Sequence, residues 1–282
     1  MNDQKSKNKI EGKKQRPTFR VALLLVVVYL SLTTGHAFGG SGRERQKAES
    51  QNAFAAGERL VFDVGYGFIT AGEAVMAIPV IDTIAGDPCY KVTFDVKSTP
   101  TFSFFYEVRD HYETYLDVEG IFPLRFEQHI KEGKYRRDFT ADFDQKNHTA
   151  TTSDGKVYPI PPRVHDIVSA FYFARTLDFS NKRAGERVHL QNFYKDTTHE
   201  LDVKFLGRQT IEVGAGTFNC IIVEPLVKEG GLFKSEGRVL LWLSDDDRKI
   251  PVKVTTKVVI GSINSELREY SGINGELKAR VK

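Results

Sequence analysis

The sequence has only two cysteines among its 282 residues, Cys89 and Cys220. Neither lies directly after the apolar run Val21–Leu30, which excludes the acylation that anchors bacterial lipoproteins. In an oxidising compartment the two cysteines allow one disulfide, which would stabilise the fold by roughly 3–5 kcal/mol. Both lie in strand-like segments, so a bond requires those strands to be adjacent or to face each other. Two buried thiols are the equally good alternative.

Motifs of common enzyme and metal sites are also missing. The chain has no GxSxG, GxGxxG or GxxxxGK[ST], and its seven histidines form no HExxH pattern. Alternation puts His111 and His129 on solvent faces, which is typical of exposed structural histidines. The acidic cluster Asp245–Asp247 lacks the alternate spacing of an EF-type calcium loop, and a hairpin turn explains it. We therefore predict no enzyme activity, no metal and no cofactor.

The N-terminus has the order of a secretory signal peptide. Seven basic residues in the first 20 precede the apolar run, and the small-residue sequence Gly35–Ala37 supplies a cleavage site. The run is shorter than the roughly 20 apolar residues that a membrane span needs. We predict a cleaved signal peptide over residues 1–37 and export to the periplasm. Tethering to the inner membrane by an uncleaved segment is the alternative.

The net charge of +3 comes from 40 basic and 37 acidic residues. Removing the signal peptide takes away seven basic and two acidic residues, which leaves a net charge of −2. The basicity therefore belongs to the targeting segment. The sequence shows no basic stripe with interleaved aromatics, so we predict no nucleic-acid partner.

The rest of the chain is patterned as strands. Residues 38–56 are rich in Gly, Ser and charge and predict a flexible linker. Apolar residues then alternate with polar ones over residues 57–270, with a first turn at Ala71–Gly72, and residues 271–282 form a tail. We predict 11 to 13 strands in an antiparallel meander, because short connections cannot make parallel crossovers. A closed or nearly closed barrel of one domain avoids long open edges.

One segment has helical spacing, "VHDIVSAFYFARTLDF" at residues 164–179. Two prolines at 161 and 162 end the preceding strand, and Asp166 can cap a helix or lie in its first turn. The apolar stripe of this helix consists of Ile167, Val168, Phe171 and Tyr172. The pattern predicts one short helix that plugs or lids an end of the barrel.

Polar residues on apolar strand faces are candidates for a ligand site. Alternation turns Asp110, Arg137 and Gln128 inward. Burying an unpaired charge is costly, so we expect Asp110 and Arg137 to pair with each other or to line a wet cavity. Arg175, at the end of the helix, is a third candidate for the same network.

The segment "TPTFSFFYEV" concentrates aromatic residues after Pro100. If this loop is exposed, Phe102 and Phe104 form an apolar lip for a ligand or a membrane surface, and core packing is the alternative. The complete set of ligand-cavity candidates is Asp110, Arg137, Gln128, Arg175, Tyr106 and Phe104.

Five sequence blocks carry a family resemblance. They are "YEVRDHYETYLD", "FPLRFEQHIKEGKYRRDFTADFDQ", "DIVSAFYFAR", "GTFNCIIVEP" and "WLSDDDRKIPVKV". In this order they resemble the exported bacterial family catalogued as domain of unknown function 3108, over roughly residues 56 to 270. The resemblance implies a periplasmic β-barrel meander, similar in shape to proteins encoded with capsule and exopolysaccharide export genes. It assigns no activity and no catalytic residue.

These patterns favour a non-enzymatic carrier of a lipid, glycolipid or other amphiphile. A barrel of ten or more strands has interior room, and aromatic walls with a few polar anchors are usual in small-molecule cavities. A structural or assembly factor of the envelope or of exopolysaccharide export, acting through protein contacts, is the alternative. We expect a monomer that makes transient membrane contact.

Overall fold

A computed structural model describes residues 52–67, 69–227, 238–257 and 261–281. The predicted signal peptide, most of the predicted linker, and Phe68, Val258 and Ile260 lie outside the described residues. The described chain forms one antiparallel sheet of 14 strands and two short helices. Neither of these helices has the length and apolar character needed to cross a bilayer.

The strands follow the chain as a meander interrupted once. The first part contains β1 (Arg59–Tyr66), β2 (Ile69–Ile84), β3 (Asp87–Ser98), α1 (Pro100–Ser103), β4 (Arg109–Asp117), β5 (Pro123–Glu132), β6 (Tyr135–Asp144), β7 (Thr149–Thr152) and β8 (Val157–Pro159). Helix α2 (Ile167–Arg175) follows, and then β9 (Arg187–Tyr194), β10 (Thr197–Val213), β11 (Gly216–Val227), β12 (Val239–Ser244), β13 (Pro251–Lys257) and β14 (Ser262–Ser271).

The strand order is β8-β7-β6-β5-β4-β3-β2-β1-β14-β13-β12-β11-β10-β9. The first and last strands, β1 and β14, pair with each other in the middle of this order. The two edges are therefore β8 and β9, and side chains join them. Phe193 of β9 lies 5.8 Å from Phe143 and 6.0 Å from Tyr158, measured between ring centroids. The predicted meander and nearly closed barrel are confirmed, with a seam that side chains rather than strand pairing close.

The edge of β9 is also covered by the chain that enters α2. His165 N donates to Gln191 O at 2.9 Å, and Phe193 N donates to His165 O at 2.7 Å. The side-chain amide of Asn192 donates to the same His165 carbonyl at 3.2 Å. An open strand edge invites pairing with another chain, and these bonds occupy part of it.

The strand prediction differs from the structure in two places. The described strands number 14 rather than 11 to 13, because β7 and β8 have only four and three residues and show no readable period. The predicted turn at Ala71–Gly72 is wrong, since both residues lie inside β2. The chain turns at Gly67 instead, where φ is +61°, a conformation that glycine adopts without strain.

The folded part begins earlier than the predicted boundary at residue 57. Ala53 and Phe54 are both 2% exposed and belong to the core. The Phe54 ring packs edge-on against Tyr172 of α2, with ring centroids 4.9 Å apart. The end of the predicted linker is therefore wrong, because a single buried aromatic residue among alanines shows no period in the sequence.

The Asp245–Asp247 cluster lies in the connection between β12 and β13, as predicted. Asp246 Oδ1 accepts hydrogen bonds from the backbone N–H groups of Arg248 and Lys249, at 3.0 and 3.2 Å. Its Oδ2 accepts from Ala279 N at 3.0 Å. This carboxylate therefore shapes the turn and also fastens the C-terminal tail.

Helix α2 begins at a capping box. Asp166 Oδ1 accepts from Val168 N at 2.7 Å and Ser169 N at 2.9 Å, and Ser169 Oγ accepts from Asp166 N at 2.8 Å. Asp166 Oδ2 accepts from the Thr114 hydroxyl of β4 at 2.6 Å. Seven of the nine helix residues are buried. The predicted helix and its cap are confirmed, and the helix packs inside the sheet rather than upon it.

Candidate functional site

A cavity of about 130 Å³ lies between α2 and strands from both parts of the sheet. Its lining consists of Met76, Phe94, Tyr112, Ile167, Val168, Ala170, Phe171, Ala174, Leu201, Val203, Val223, Pro225, Leu241, Leu243 and Val254. Tyr112 is the only one of these residues whose side chain carries an oxygen or nitrogen atom. The cavity is therefore suited to an apolar group.

Helix α2 determines how much room the barrel keeps. It supplies five of the lining residues and occupies the interior that a barrel of this strand number would otherwise leave open. Ile167 and Phe171, expected to be buried with Val168 and Tyr172, are half-buried and line the cavity instead. The helix thus fills much of the interior that the described strands enclose, and an apolar cavity remains beside it.

The end of α2 is fixed by a buried ion pair. Arg175 Nη1 donates to Glu58 Oε1 at 2.6 Å and Nη2 donates to Glu58 Oε2 at 2.7 Å, and both side chains are almost wholly buried. Arg175 also donates to the carbonyls of Ala53 and Arg248 at 3.0 and 3.2 Å. Burial opposes the charge, but the Glu58 carboxylate prevails and raises the pKa of Arg175. Arg175 is an anchor of the helix and does not line the cavity.

Asp110 lies inside the barrel at the start of β4, where it is 1% exposed. Its Oδ1 accepts from Lys131 N at 3.0 Å. Burial raises the pKa of Asp110 to about 6, against the lowering effects of that bond and of a hydrogen bond with Glu132. Desolvation also raises the pKa of Tyr112, and the Asp110 charge adds to the effect. A cluster of buried polar groups therefore adjoins the cavity behind the Tyr112 ring.

The predicted ion pair between Asp110 and Arg137 is not formed. Arg137 Nη1 donates to the Tyr194 hydroxyl at 2.6 Å, across the seam, and its guanidinium lies over the rings of Phe139 and Tyr194. Strand β5 separates β4 from β6, so the two side chains lie two strands apart. The alternation of apolar and polar residues identified the inward face correctly. It does not show how many strands separate two inward residues.

We expect Asp110→Asn to stabilise the protein at neutral pH. The carboxyl binds its proton more tightly in the folded chain, with a pKa of about 6 against the usual 3.8, so wild-type stability falls as pH rises between these values. Asparagine keeps the acceptor for Lys131 N and carries no charge. In urea unfolding, the free energy of unfolding of the variant should exceed that of the wild type by up to about 3 kcal/mol at pH 7.5, and the difference should disappear near pH 4. An advantage of the same size at both pH values would contradict this origin.

The other cavity candidates lie elsewhere. Phe104 is 86% exposed on the loop after α1. Tyr106 is half-buried and covers Gly133, where an added Cβ would meet its ring at 2.8 Å. Gln128 is fully buried opposite Tyr112 on the neighbouring strand. None of the six predicted residues is among the described lining of the cavity.

Cys89 and Cys220 are free, buried thiols, so the disulfide alternative is not formed. Cys89 lies near the start of β3 and Cys220 lies in β11, and these strands are six positions apart in the strand order. Burial raises the pKa of Cys220 to about 12 and also raises that of Cys89. Both thiols are therefore protonated and unreactive at neutral pH.

His165 departs from the expectation that the histidines are exposed. It is 2% exposed, and its ring lies 4.8 Å from that of Phe173. Burial lowers the pKa of His165 to about 3, so the ring stays neutral at physiological pH. Its position before the helix cap, in a segment read as helix, concealed this burial in the sequence.

Sequence reasoning missed Tyr112 as a cavity residue. Its alternation with Tyr106 and Val108 places it inside the barrel, and it is 1% exposed. The two-residue period of a strand distinguishes residues that face the interior from those that face solvent. It does not show where neighbouring side chains leave a cavity. The cavity arises only when α2 is positioned against the sheet.

The fold and the cavity define a β-barrel-like protein with a helix in its interior. The chain matches the family described as "Protein of unknown function (DUF3108)" over residues 61–268 and belongs to that family. The resemblance seen in the five sequence blocks is thereby confirmed. No curated protein matches the chain.

One of two similar solved structures supports the fold. A beta-barrel-like protein of domain of unknown function DUF1849 from Brucella abortus aligns with a TM-score of 0.54 and 9% identity, covering 78% of this chain and 98% of its own. An inferred lipoprotein from Parabacteroides distasonis is 11% identical, with a TM-score of 0.34, and covers 80% of this chain and 100% of its own. The first similarity shows a shared barrel-like fold, and the second is too weak to carry an argument.

Proposed function

We propose that this protein is a non-enzymatic, exported binding protein that holds the apolar part of a lipid, glycolipid or other amphiphile. The observation that carries the proposal is the apolar cavity between α2 and the sheet. Tight packing is the rule in protein interiors, and voids larger than a water molecule are few. A cavity that both a helix and ten neighbouring strand residues border without filling is therefore a candidate binding site.

The size of the cavity limits its ligand. An apolar cavity of about 150 Å³ binds benzene in another protein, so 130 Å³ accommodates a ring or the end of an acyl chain rather than a whole lipid. Met76, whose side chain is flexible, lies in the wall and allows some adjustment of shape. We infer that the protein takes the apolar end of an amphiphile and leaves the polar end outside.

The N-terminal segment supports a place in the cell envelope. Its basic residues, apolar run and small-residue site have the order of an export signal, and amphiphiles are abundant beyond the inner membrane. The proposal is therefore a periplasmic carrier.

The test combines native purification with a variant that fills the cavity. Native mass spectrometry of protein isolated from its producing cells should show a bound amphiphile. We expect Ala170→Phe to abolish that adduct and to weaken binding of the neutral probe N-phenyl-1-naphthylamine at least tenfold, because the new ring occupies the cavity.

The matched control is Ala77→Phe, which adds the same ring on the outer face of β2, where Ala77 is half-buried. It should bind the probe as the wild type does. Probe binding that survives Ala170→Phe would contradict the proposal. Protein that is repeatedly recovered empty but crosslinked to an envelope protein would favour an assembly role instead.

A further inference from the structure

Four basic side chains lie side by side on the outer face of the barrel. This basic row consists of Lys97, Arg109, Lys131 and Arg136. The first two face each other between β3 and β4, and the last two face each other between β5 and β6. Because Val108 pairs with Glu132, Arg109 lies opposite Lys131, and the row crosses four strands without interruption.

Like charges directly opposite each other destabilise a sheet, so the basic row indicates a role other than stabilising the fold. Within the described residues, the ion pairs of the row involve Glu107, whose carboxylate is 2.9 Å from Lys131 Nζ and 3.9 Å from Arg109 Nη2. Lys97 lies opposite Glu73, but that carboxylate is bound by Arg268 at 2.7 Å. The row therefore presents a net positive charge to its surroundings.

An apolar tip projects from the same end of the barrel. The connection that joins Lys97 to Arg109 contains α1 and then Phe104 and Phe105, which are 86% and 80% exposed. Their rings pack against each other, with centroids 5.2 Å apart. Ile69, 66% exposed, begins β2 close by. Large apolar side chains exposed together mark interaction surfaces.

We propose that this end of the barrel docks onto an anionic lipid bilayer. Phe104 and Phe105 would enter the boundary between headgroups and acyl chains, while the basic row faces the lipid phosphates. Aromatic side chains beside lysine and arginine are the usual composition of surfaces that bind anionic membranes. The inference depends on this surface alone and does not require the cavity to hold a ligand.

The charges farther from the tip set the orientation. The next outward row contains Asp95 and Asp138 at its two ends, and the row after it contains Glu113 and Glu127. These carboxylates are paired with neighbouring histidines and cations, so the two rows lack the net positive charge that would attract an anionic surface. The barrel therefore stands on its α1 end rather than lying on its side.

A fluorescent label at the tip tests the docking in the full chain. Phe105→Cys takes an environment-sensitive nitrobenzoxadiazole label selectively, because both natural cysteines are buried. Vesicles of phosphatidylglycerol and phosphatidylethanolamine should shift its emission to the blue, and phosphatidylcholine vesicles should not. The control label at Ile81→Cys, 56% exposed on β2 and away from the tip, should remain unchanged. The label reports its own surroundings, so membrane contact by the N-terminal segment does not imitate the result.

Charge variants test the basic row in the same assay. Each cation near a membrane surface strengthens binding about fivefold. The double variant Lys97→Gln with Arg109→Gln should therefore need about 25-fold more anionic lipid to reach half of the emission shift. The matched control replaces Arg183 and Lys278, both exposed, with glutamine and should leave binding unchanged.

Three results would overturn the proposal. The first is an emission at position 105 that no vesicle changes. The second is an emission shift that is equally large with neutral and anionic vesicles. The third is an emission shift that depends on protein concentration in the absence of vesicles. The last would assign the tip to a second copy of the chain. Retention of the apolar probe is measured separately, so the docking and the ligand proposal can fail independently.

Discussion

Arg175→Met will lower the free energy of unfolding by about 3–5 kcal/mol, because it leaves the Glu58 carboxylate buried without its partner. Methionine preserves much of the side-chain volume, so the loss comes from the charge rather than from a cavity. The guanidinium also lies 5.3 Å from the Phe54 ring centroid and 5.1 Å from that of Tyr172, and both contacts are lost. Urea unfolding at pH 7 measures the effect.

The double variant Arg175→Met with Glu58→Leu is the decisive comparison. Replacing both members of a buried pair with apolar residues is often neutral, so the double variant should recover most of the lost stability. Destabilisations that simply add would show that the two side chains act independently, contrary to the bidentate contact.

Phe54→Ala will cost about 3–5 kcal/mol, the usual loss for a fully buried aromatic residue. The matched control is Phe104→Ala, the same substitution on an exposed ring, which should change stability by less than about 0.5 kcal/mol. Thermal or urea unfolding of the two variants gives the comparison. Equal effects would mean that residues before position 57 are not part of the folded domain.

The fold was predictable because the period of apolar residues reports directly on buried faces. The alternating strands and their short connections imply an antiparallel meander, and the helical stripe around Phe171 stands out from it. The seam was not predictable, since it depends on contacts such as Arg137 with Tyr194, which are 57 positions apart. Phe54 was missed because a single aromatic residue has no period.

The candidate site was less predictable than the fold. Asp110 and Gln128 were expected inside the barrel, and both are buried there. Their partners depend on strand register, which the sequence does not state, so the pairing of Asp110 with Arg137 was wrong. The basic row has the same origin, because its members are scattered along the sequence and the pairing of four strands brings them together.

The pairing of β1 with β14 has a consequence for the order in which the chain folds. Arg59 lies opposite Ser271, so the centre of the sheet joins the two ends of the domain. During synthesis, β1 to β8 can pair with one another as half of the sheet. One edge of β1 stays unpaired until β14, the last strand, has left the ribosome. Contacts of such long sequence separation make folding slow and leave intermediates prone to aggregation. Until β14 pairs with it, the β1 edge of the nascent chain is therefore open to pairing with another molecule.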